Sequence, residues 1–311
     1  MVQKILITGG AGFIGSHLAD KLIEKGYEVI IIDNLSTGSK SNLNKKAKFY
    51  EADICDKKVS DIFLKEKPEI VFHFAAQIDV RKSVESPLED AKTNILGGLN
   101  VLENCKKFNI KKVIFSSTGG AIYGDANTVP TPESYVEYPL SPYGIAKLAT
   151  EKYLNYYHKV FSLPFIALRF ANVYGPRQNS KGEAGVVAIF CDKIFGGHQP
   201  VINGLGLQTR DFVFVSDVAS AAVLAMETET TGIFNIGTGK ETNINDIFSI
   251  IKRESNCKFE KVYGPAQKGE QQRSCLDYSK AKTGLGWTPK YDLEKGLRET
   301  VSWFKNENNG R

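Results

Sequence analysis

The 311 residues contain no run of about eighteen apolar side chains, so nothing in the chain reads as a membrane-spanning helix. Cysteine is scarce and scattered: Cys55, Cys105, Cys191, Cys257 and Cys275 are odd in number and form no C-x-x-C pair. That excludes a disulfide framework and a cysteine zinc site, and reads as free thiols in a reducing compartment. His17, His73, His158 and His198 show no H-x-x-x-H spacing and no cysteine partner, so no metal is expected. Charge is close to balanced, at a net +5. Basic residues come as short pairs such as Lys45-Lys46 and Lys111-Lys112, not as the dense stripe that nucleic acid demands. Internal repeats and low-complexity segments are missing too. Val2 to Thr8 already has the pattern of a strand, so no signal peptide is expected and the cytoplasm is the expected compartment.

What is there is an ordinary globular balance, 42% hydrophobic and 24% charged, in a chain long enough for a substantial core. Lys4 to Thr8, Glu28 to Asp33, Lys48 to Glu51, Ile70 to Phe74, Lys112 to Ser116 and Phe165 to Arg169 read as strands. Most are continuous apolar runs, as strands covered on both faces of a parallel sheet must be. Helical spacing fills the intervals at Phe13–Lys25, Asp56–Glu66, Glu89–Phe108 and Pro142–Phe161. The alternation predicts an α/β fold with a doubly wound parallel sheet. After Arg169 the pattern loosens, with glycine and proline punctuation at 174–177, 182–185, 196–197 and 203–206. Short helices are expected at Val186–Phe195, Val218–Met226, Asn245–Arg253, Ser279–Leu285 and Leu293–Lys305, and a frayed end from Asn306 to Arg311. This half reads as a smaller α/β domain, interleaved with the first.

Three features carry chemistry. Gly9-Gly10-Ala11-Gly12-Phe13-Ile14-Gly15 lies between a strand and a helix, where glycines permit a tight turn and close backbone approach to a pyrophosphate. Its spacing is G-x-x-G-x-x-G. Asp33 ends the next strand, eighteen residues after Gly15, where a carboxylate accepts from adenosine ribose hydroxyls and repels a 2′-phosphate, favouring NAD over NADP. The other reading of Asp33 is a turn cap with Asn34. Asp53-Ile54 follows the third strand, where a carboxylate reaches an adenine edge or merely closes a loop. Phe74-Ala75-Ala76-Gln77 ends the fourth with small residues that admit a cofactor or simply pack.

Tyr143 and Lys147 stand four residues apart, on one face of a helix. A phenol is a poor base at neutral pH, and an ammonium beside it favours the phenolate. Ser117 and Thr118 fall just past the fifth strand, at the carboxyl edge where sites form in open α/β sheets. A hydroxyl there can bond a substrate oxygen while Tyr143 takes its proton. Glycine loop, hydroxyls and Tyr/Lys pair together point to nicotinamide-dependent chemistry at a carbinol carbon.

These residues resemble the extended short-chain dehydrogenase/reductase superfamily, and within it nucleotide-sugar epimerases of the UDP-galactose 4-epimerase type. The resemblance runs nearly the whole chain. It includes Thr8 to Ser16, Asp33-Asn34-Leu35, Asn94, Phe115 to Gly124, Ser141 to Lys147, Leu168 to Arg177, Arg210-Asp211-Phe212, Phe234 to Gly237 and Gly286-Trp287-Thr288-Pro289. It implies a Rossmann NAD-binding domain over 1–170, with part of 208–230 returning to it, and a nucleotide-sugar-binding domain over 171–311. The expected NAD contacts are Gly9, Gly12, Phe13, Ile14, Gly15, Asp33, Asn34, Ser36, Thr37, Gly38, Asp53, Ile54, Phe74, Ala75, Ala76, Gln77, Asn94, Ser116, Tyr143, Lys147 and Phe170. By the same resemblance Tyr143 removes the O4 proton of a UDP-hexose while its C4 hydride passes to tightly held NAD, and the 4-keto sugar turns and takes the hydride back on its other face. Lys147 holds the nicotinamide ribose and lowers the Tyr143 pKa; Thr118 bonds O4. Asn172 and Arg210 match positions that meet the UDP diphosphate, and Val186, Val187 and Asn203 are placed along the nucleotide sugar. Family members commonly dimerise through the helices that here bear Asn94 and Tyr143, so a homodimer is expected.

Two departures matter. Where the family carries an Arg-x-Gly-Asp pattern this chain has Gln267-Lys268-Gly269-Glu270, so one bidentate phosphate clamp is missing. Lys268 and Arg273 stand as its substitutes. Ser274 matches the position whose bulk limits the sugar's 2-substituent, and a small Ser leaves room for an N-acetyl group, so UDP-N-acetylhexosamines are expected alongside UDP-galactose and UDP-glucose. Gly119-Gly120 stands where a 4,6-dehydratase needs an acidic pair and a UDP-glucuronate decarboxylase a Glu. The remaining alternatives are an NAD(P)-dependent nucleotide-sugar reductase or dehydratase, and an idle nucleotide sensor, which would typically lack the Tyr or the Lys.

Overall fold

Short runs rich in β-branched residues cannot complete a stable helix, and they build the centre of this molecule as strands. The computed structural model describes residues 2–180, 185–267 and 271–309. In the first half Lys4–Thr8 (β1), Glu28–Asp33 (β2), Lys48–Glu51 (β3), Ile70–His73 (β4), Lys112–Thr118 (β5) and Phe165–Phe170 (β6) lie parallel in one sheet. They alternate with Phe13–Glu24 (α1), Lys58–Glu66 (α2), Val80–Glu85 (α3), Pro87–Ala91 (α4), Gly98–Lys107 (α5), Gly119–Ile122 (α6) and Pro142–Phe161 (α7).

Beyond β6 come Asn172–Tyr174 (β7), Val186–Phe195 (α8), Ile202–Asn203 (β8), Thr209–Arg210 (β9), Phe212–Phe214 (β10) and Val215–Glu227 (α9). Gly232–Ile236 (β11) then returns to the large sheet and pairs with β6. The chain closes with Thr242–Asn243 (β12), Ile244–Ser255 (α10), Tyr263–Gly264 (β13), Arg273–Ser274 (β14), Ser279–Leu285 (α11) and Leu293–Asn309 (α12). No described helix is long and apolar enough to cross a membrane.

The seven strands run in the order β11-β6-β5-β4-β1-β2-β3. From β1 the chain steps to β2 on one side and later to β4 on the other, so a crevice opens where β1 and β4 end. Alternate residues of each strand serve opposite faces. Ile5 and Ile7 pack with Leu18 of α1 and Ala222 of α9, while Leu6 packs with Phe63 of α2, Leu102 of α5 and Leu154 of α7. A third cluster, with Phe190 of α8, Phe248 of α10 and Leu297 of α12, supports the smaller lobe.

The doubly wound α/β arrangement is the one expected; several boundaries are not. The single helix expected over Glu89–Phe108 is broken into α4, a π-helical turn at Lys92–Gly97, and α5. A Cβ on Gly97 would come within 2.8 Å of Ile54, in the loop that follows β3, so the backbone of the π turn lies against that loop where a side chain would collide. Strand β5 runs to Thr118, not Ser116, because Ser117 and Thr118 pair in register with Arg169 and Phe170. Helix α9 starts at Val215, three residues before the expected position, directly off β10. The end expected to fray from Asn306 stays helical through Asn309, and Asn308 donates to the Phe304 carbonyl at 2.9 Å. The glycine at 182, Lys268 and its neighbours Gly269 and Glu270, and residues 310 and 311 lie outside the described residues.

Candidate active site

The turn after β1 is shaped by what a side chain would hit. Gly9 has φ +75°, and a Cβ there would fall 2.6 Å from the Ala75 amide nitrogen. A Cβ on Gly15 would lie 2.2 Å from the Gly9 carbonyl, so α1 can dock on the turn only with glycine at that position. Gly12 caps α1 with no side-chain bond, and its own Cβ would meet only the Gly9 carbonyl, at 3.2 Å. The first amides of a twelve-residue helix are thus left facing a crevice, an arrangement that attracts anions.

Asp33 ends β2 beside that turn. Its Oδ2 accepts from the Ala11 amide at 3.0 Å and its Oδ1 from the Leu35 amide at 2.8 Å. Burial pushes its carboxyl above the ordinary range, against the pull of the two amides. Asn34 donates to Asp53 Oδ2 at 2.7 Å, and the Cys55 amide donates to Asp53 Oδ1 at 2.8 Å. Burial works upward on Asp53, yet these bonds hold its carboxyl below the usual range.

Where β4 ends, the hydroxyl of Thr8 accepts from the Phe74 and Ala75 amides, each at 3.2 Å, and lies 2.9 Å from His73 Nδ1. Asn94 grips Gln77 by both backbone groups, Oδ1 accepting from its amide and Nδ2 donating to its carbonyl, each at 2.9 Å.

Ser141 caps α7 by accepting from the Gly144 amide at 3.2 Å, with Pro142 at the first helical position. This sets Tyr143 in the first turn and Lys147 one turn on. Lys147 is buried and its Nζ donates to the Ser116 carbonyl at 2.8 Å, lying 4.7 Å from the centre of the Phe115 ring and 5.8 Å from that of Tyr143. Burial pushes this ammonium down to about 7, while Asp90 and Glu151 pull the other way. The Ser117 hydroxyl donates to Glu151 at 2.5 Å.

One cleft of about 360 Å³ joins these parts. It is lined by Gly9, Gly12, Phe13, Ile14, Gly15, Asp33, Asn34, Ser36, Thr37, Asp53, Ile54, Phe74, Ala75, Ala76, Gln77, Ser116, Ser117, Tyr143, Lys147 and Phe170, all anticipated from sequence. Ala52, Ile78, Lys82 and Thr93 line it too, and no motif signalled them. Gly38 and Asn94 do not line it. Gly38 packs on Ala11, within 3.0 Å of a Cβ it lacks, and Asn94 stands behind Gln77. Thr118 is outside the lining as well; its hydroxyl accepts from the Ala121 amide at 3.2 Å and caps α6.

The remaining anticipated residues gather on the small strands. Ser274 pairs with Arg210 and Arg273 with Thr209 between β14 and β9. The Arg210 guanidinium donates to the Thr209 carbonyl at 2.8 Å. Arg273 spans both oxygens of Glu241 at 3.0 and 2.6 Å, so its fork is already engaged. Asn172 opens β7, its amide donating to the Asp211 carbonyl at 2.9 Å. Buried Asp211 accepts from the Thr238 amide and hydroxyl and from the amides of Gly239 and Leu276, lacing β9 to the ends of β11 and β14. Val187 is buried in the third cluster, Val186 is half-buried at the start of α8, and Asn203 ends β8.

Beneath the cleft lies a polar network that no motif had signalled. Arg169 donates Nε to Glu151 Oε1 at 2.9 Å, NH2 to Glu151 Oε2 at 2.6 Å and NH1 to the Tyr123 hydroxyl at 2.8 Å. Tyr123 in turn donates to Asn235 at 2.9 Å. The available signal was an arginine inside the apolar strand run Phe165–Phe170, since a buried guanidinium requires a carboxylate.

Residues 5–237 match the family described as NAD dependent epimerase/dehydratase. A protein named putative UDP-glucose 4-epimerase, from Methanocaldococcus jannaschii, is 49% identical over 98% of this chain and 99% of its own length. The crystal structure of the Thermotoga maritima UDP-glucose 4-epimerase with UDP-glucose superposes with a TM-score of 0.96 at 52% identity, covering 98% of this chain and 99% of that one. The Thermus thermophilus UDP-glucose 4-epimerase complex with NAD gives 0.93 at 40% identity over 97% and 99%. The UDP-N-acetylglucosamine 4-epimerase of Methanobrevibacter ruminantium, in complex with UDP-N-acetylmuramic acid, gives 0.94 at 38% identity over 98% and 99%.

Proposed function

The chain belongs to the NAD dependent epimerase/dehydratase family, and we propose that it interconverts UDP-hexoses at C4, between galacto and gluco forms, with no net redox change. The observation that carries this reading is that Tyr143 and Lys147 line the same cleft as Gly12 and Asp33. A proton-transfer pair and a dinucleotide cradle share one enclosure.

The residues fit NAD. The uncapped amides of α1 and the Cβ-free face of Gly12 suit a pyrophosphate, and the Asp33 carboxylate suits ribose hydroxyls. When bound, NAD supplies a hydride acceptor and donor for the sugar carbon. Tyr143 Oη takes the O4 proton and later returns it. Lys147 acts as the ammonium that favours the phenolate. Ser117 orients through Glu151, and Thr118 is assigned to the sugar oxygen: its Oγ1 accepts from the Ala121 amide, which leaves its proton to donate. Arg210 and Asn172 receive the diphosphate, and Ser274 leaves space at the sugar 2-position, which extends the substrates to the N-acetylated forms. Lys268, outside the described residues, and Arg273, once released from Glu241, are the candidate supplements to that diphosphate site.

We assign a homodimer to the face formed by α3 to α5 and α7. Val84, Leu88, Leu96, Ile145 and Val160 are exposed there, Leu88 by 85%, and a second copy of the same face would cover them. The free thiols suit the cytoplasm as its compartment.

Proton NMR of the purified protein mixed with UDP-galactose, and separately with UDP-N-acetylgalactosamine, tests the proposal without added NAD. Appearance of the gluco forms supports epimerisation with retained cofactor. A stoichiometric demand for NADH would overturn it in favour of a reductase.

A further inference from the structure

Lys147 is 3% exposed, and the reading above, on which this inference rests, needs it charged. An ammonium withdrawn from water is sustained only by a compensating carboxylate. Two buried carboxylates act on it, Glu151 one turn further along α7 and Asp90 on α4, which packs against α7.

Glu151 is already matched. Arg169 closes a two-pronged ion pair on it while also meeting Glu137 at 2.9 Å, so the charge of Glu151 is directly opposed by a guanidinium. Asp90 has no such partner. It is 1% exposed; Oδ1 accepts from two neutral amides, Gln77 Nε2 and Asn94 Nδ2, each at 2.9 Å, and Oδ2 is buried with no hydrogen bond from any described residue. Lys147 is the charge that acts on Asp90 from outside. The elements that carry them are tied together: Asn94, held by Asp90, accepts at its backbone carbonyl from Thr150 of α7, three residues beyond Lys147, at 3.2 Å.

The other titratable groups facing Lys147 cannot replace Asp90. His73, at the end of β4, is neutral, pushed down to about 3 by burial and then by Lys147 itself. Tyr143 is negative only in the phenolate form that the ammonium exists to favour. On β5 the facing group is the Ser116 carbonyl, which is polar but uncharged.

We propose that Asp90 is the counter-ion that keeps Lys147 protonated, a positioning residue that acts on the chemistry through that ammonium. It does not line the cleft. Its place just before the π-helical turn follows: the turn carries Asn94, whose amide holds Asp90 on one side and Gln77 of the cleft wall on the other.

The test is a titration of Lys147 in protein labelled with 13C at the lysine Cε, with the cofactor it carries as purified, the resonance assigned by Lys147→Met. Asp90→Asn keeps an acceptor for Gln77 and Asn94 and removes the charge. The Lys147 midpoint is expected to fall by about one pH unit or more. An unchanged midpoint in a folded Asp90→Asn protein overturns the proposal and leaves the epimerase reading intact, since sugar NMR decides that separately. Should Asp90→Asn fail to fold, melting of Lys147→Met against Lys147→Met/Asp90→Asn decides. The double variant is expected to melt higher, because an uncompensated buried carboxylate has gone; melting at or below the single variant overturns the proposal.

Discussion

Arg169 and Glu151 form a fully buried, two-pronged ion pair between strand β6 and helix α7, with nitrogen–oxygen distances of 2.9 and 2.6 Å. Glu151 also receives the Ser117 hydroxyl, and Arg169 reaches Tyr123, so the pair fixes the floor of the active site from two elements at once. The catalytic helix cannot rotate about its axis without breaking it.

Arg169→Met therefore leaves Glu151 stranded in the interior and takes the guanidinium from Glu137 as well, and should lower stability by about 3–5 kcal/mol. Adding Glu151→Gln should recover part of that loss. Urea unfolding of wild type, both single variants and the double variant gives the coupling, and strictly additive losses would show that the pair is energetically idle.

Tyr143→Phe removes the group that carries the proton while leaving the ring. Turnover should drop about 10²- to 10⁴-fold with little change in UDP-sugar affinity. Steady-state kinetics together with calorimetric binding of UDP-glucose separates the two, and wild-type turnover would defeat the assignment.

Ser274→Tyr should abolish conversion of UDP-N-acetylgalactosamine while sparing UDP-galactose. Ser274 is nearly buried and stands in register with Arg210, so an added phenol must intrude on neighbouring space. Parallel rate measurements on the two substrates check this, and equal loss of both would remove the specificity argument.

Acid stability should reveal His73. Its imidazole is buried and held down to about 3, whereas in the unfolded chain it takes a proton near 6.5. Between those values the unfolded state binds the extra proton, so stability falls as pH drops, by about 1.4 kcal/mol per unit. Denaturant unfolding of wild type and His73→Asn from pH 7 to 4 should show this component vanish in the variant. Parallel slopes would mean that His73 is protonated inside the fold.

The large sheet was legible because β1, β2, β4 and β6 carry continuous apolar stretches, in β6 up to Arg169, which only a sheet covered on both faces accommodates. The cleft was legible because its chemistry is concentrated at strand ends and in one helix turn, where spacing alone brings residues together. Strand β11 escaped notice: Gly232-Ile233-Phe234-Asn235-Ile236 is short, flanked by glycine and interrupted by Asn235, whose role is visible only once Tyr123 and the Thr131 carbonyl are seen bonded to it. The buried pair of Arg169 and Glu151 and the isolated carboxylate of Asp90 depend on contacts between elements, and local periodicity carries no trace of them. The break at Lys92–Gly97 was invisible for a related reason, because Gly97 and Gly98 meet Ile54 and His73 of distant segments.

Strand β11 also bears on how the molecule is made. Until Ile236 has left the ribosome, β6 has no outer neighbour, and its six-residue run presents bare backbone amides and carbonyls. The 66 residues from Phe170 to Ile236 take roughly 3–13 s to translate. For that interval a nascent chain offers an adhesive rim to other nascent chains, and crowded polysomes are where misassembly of this enzyme should begin.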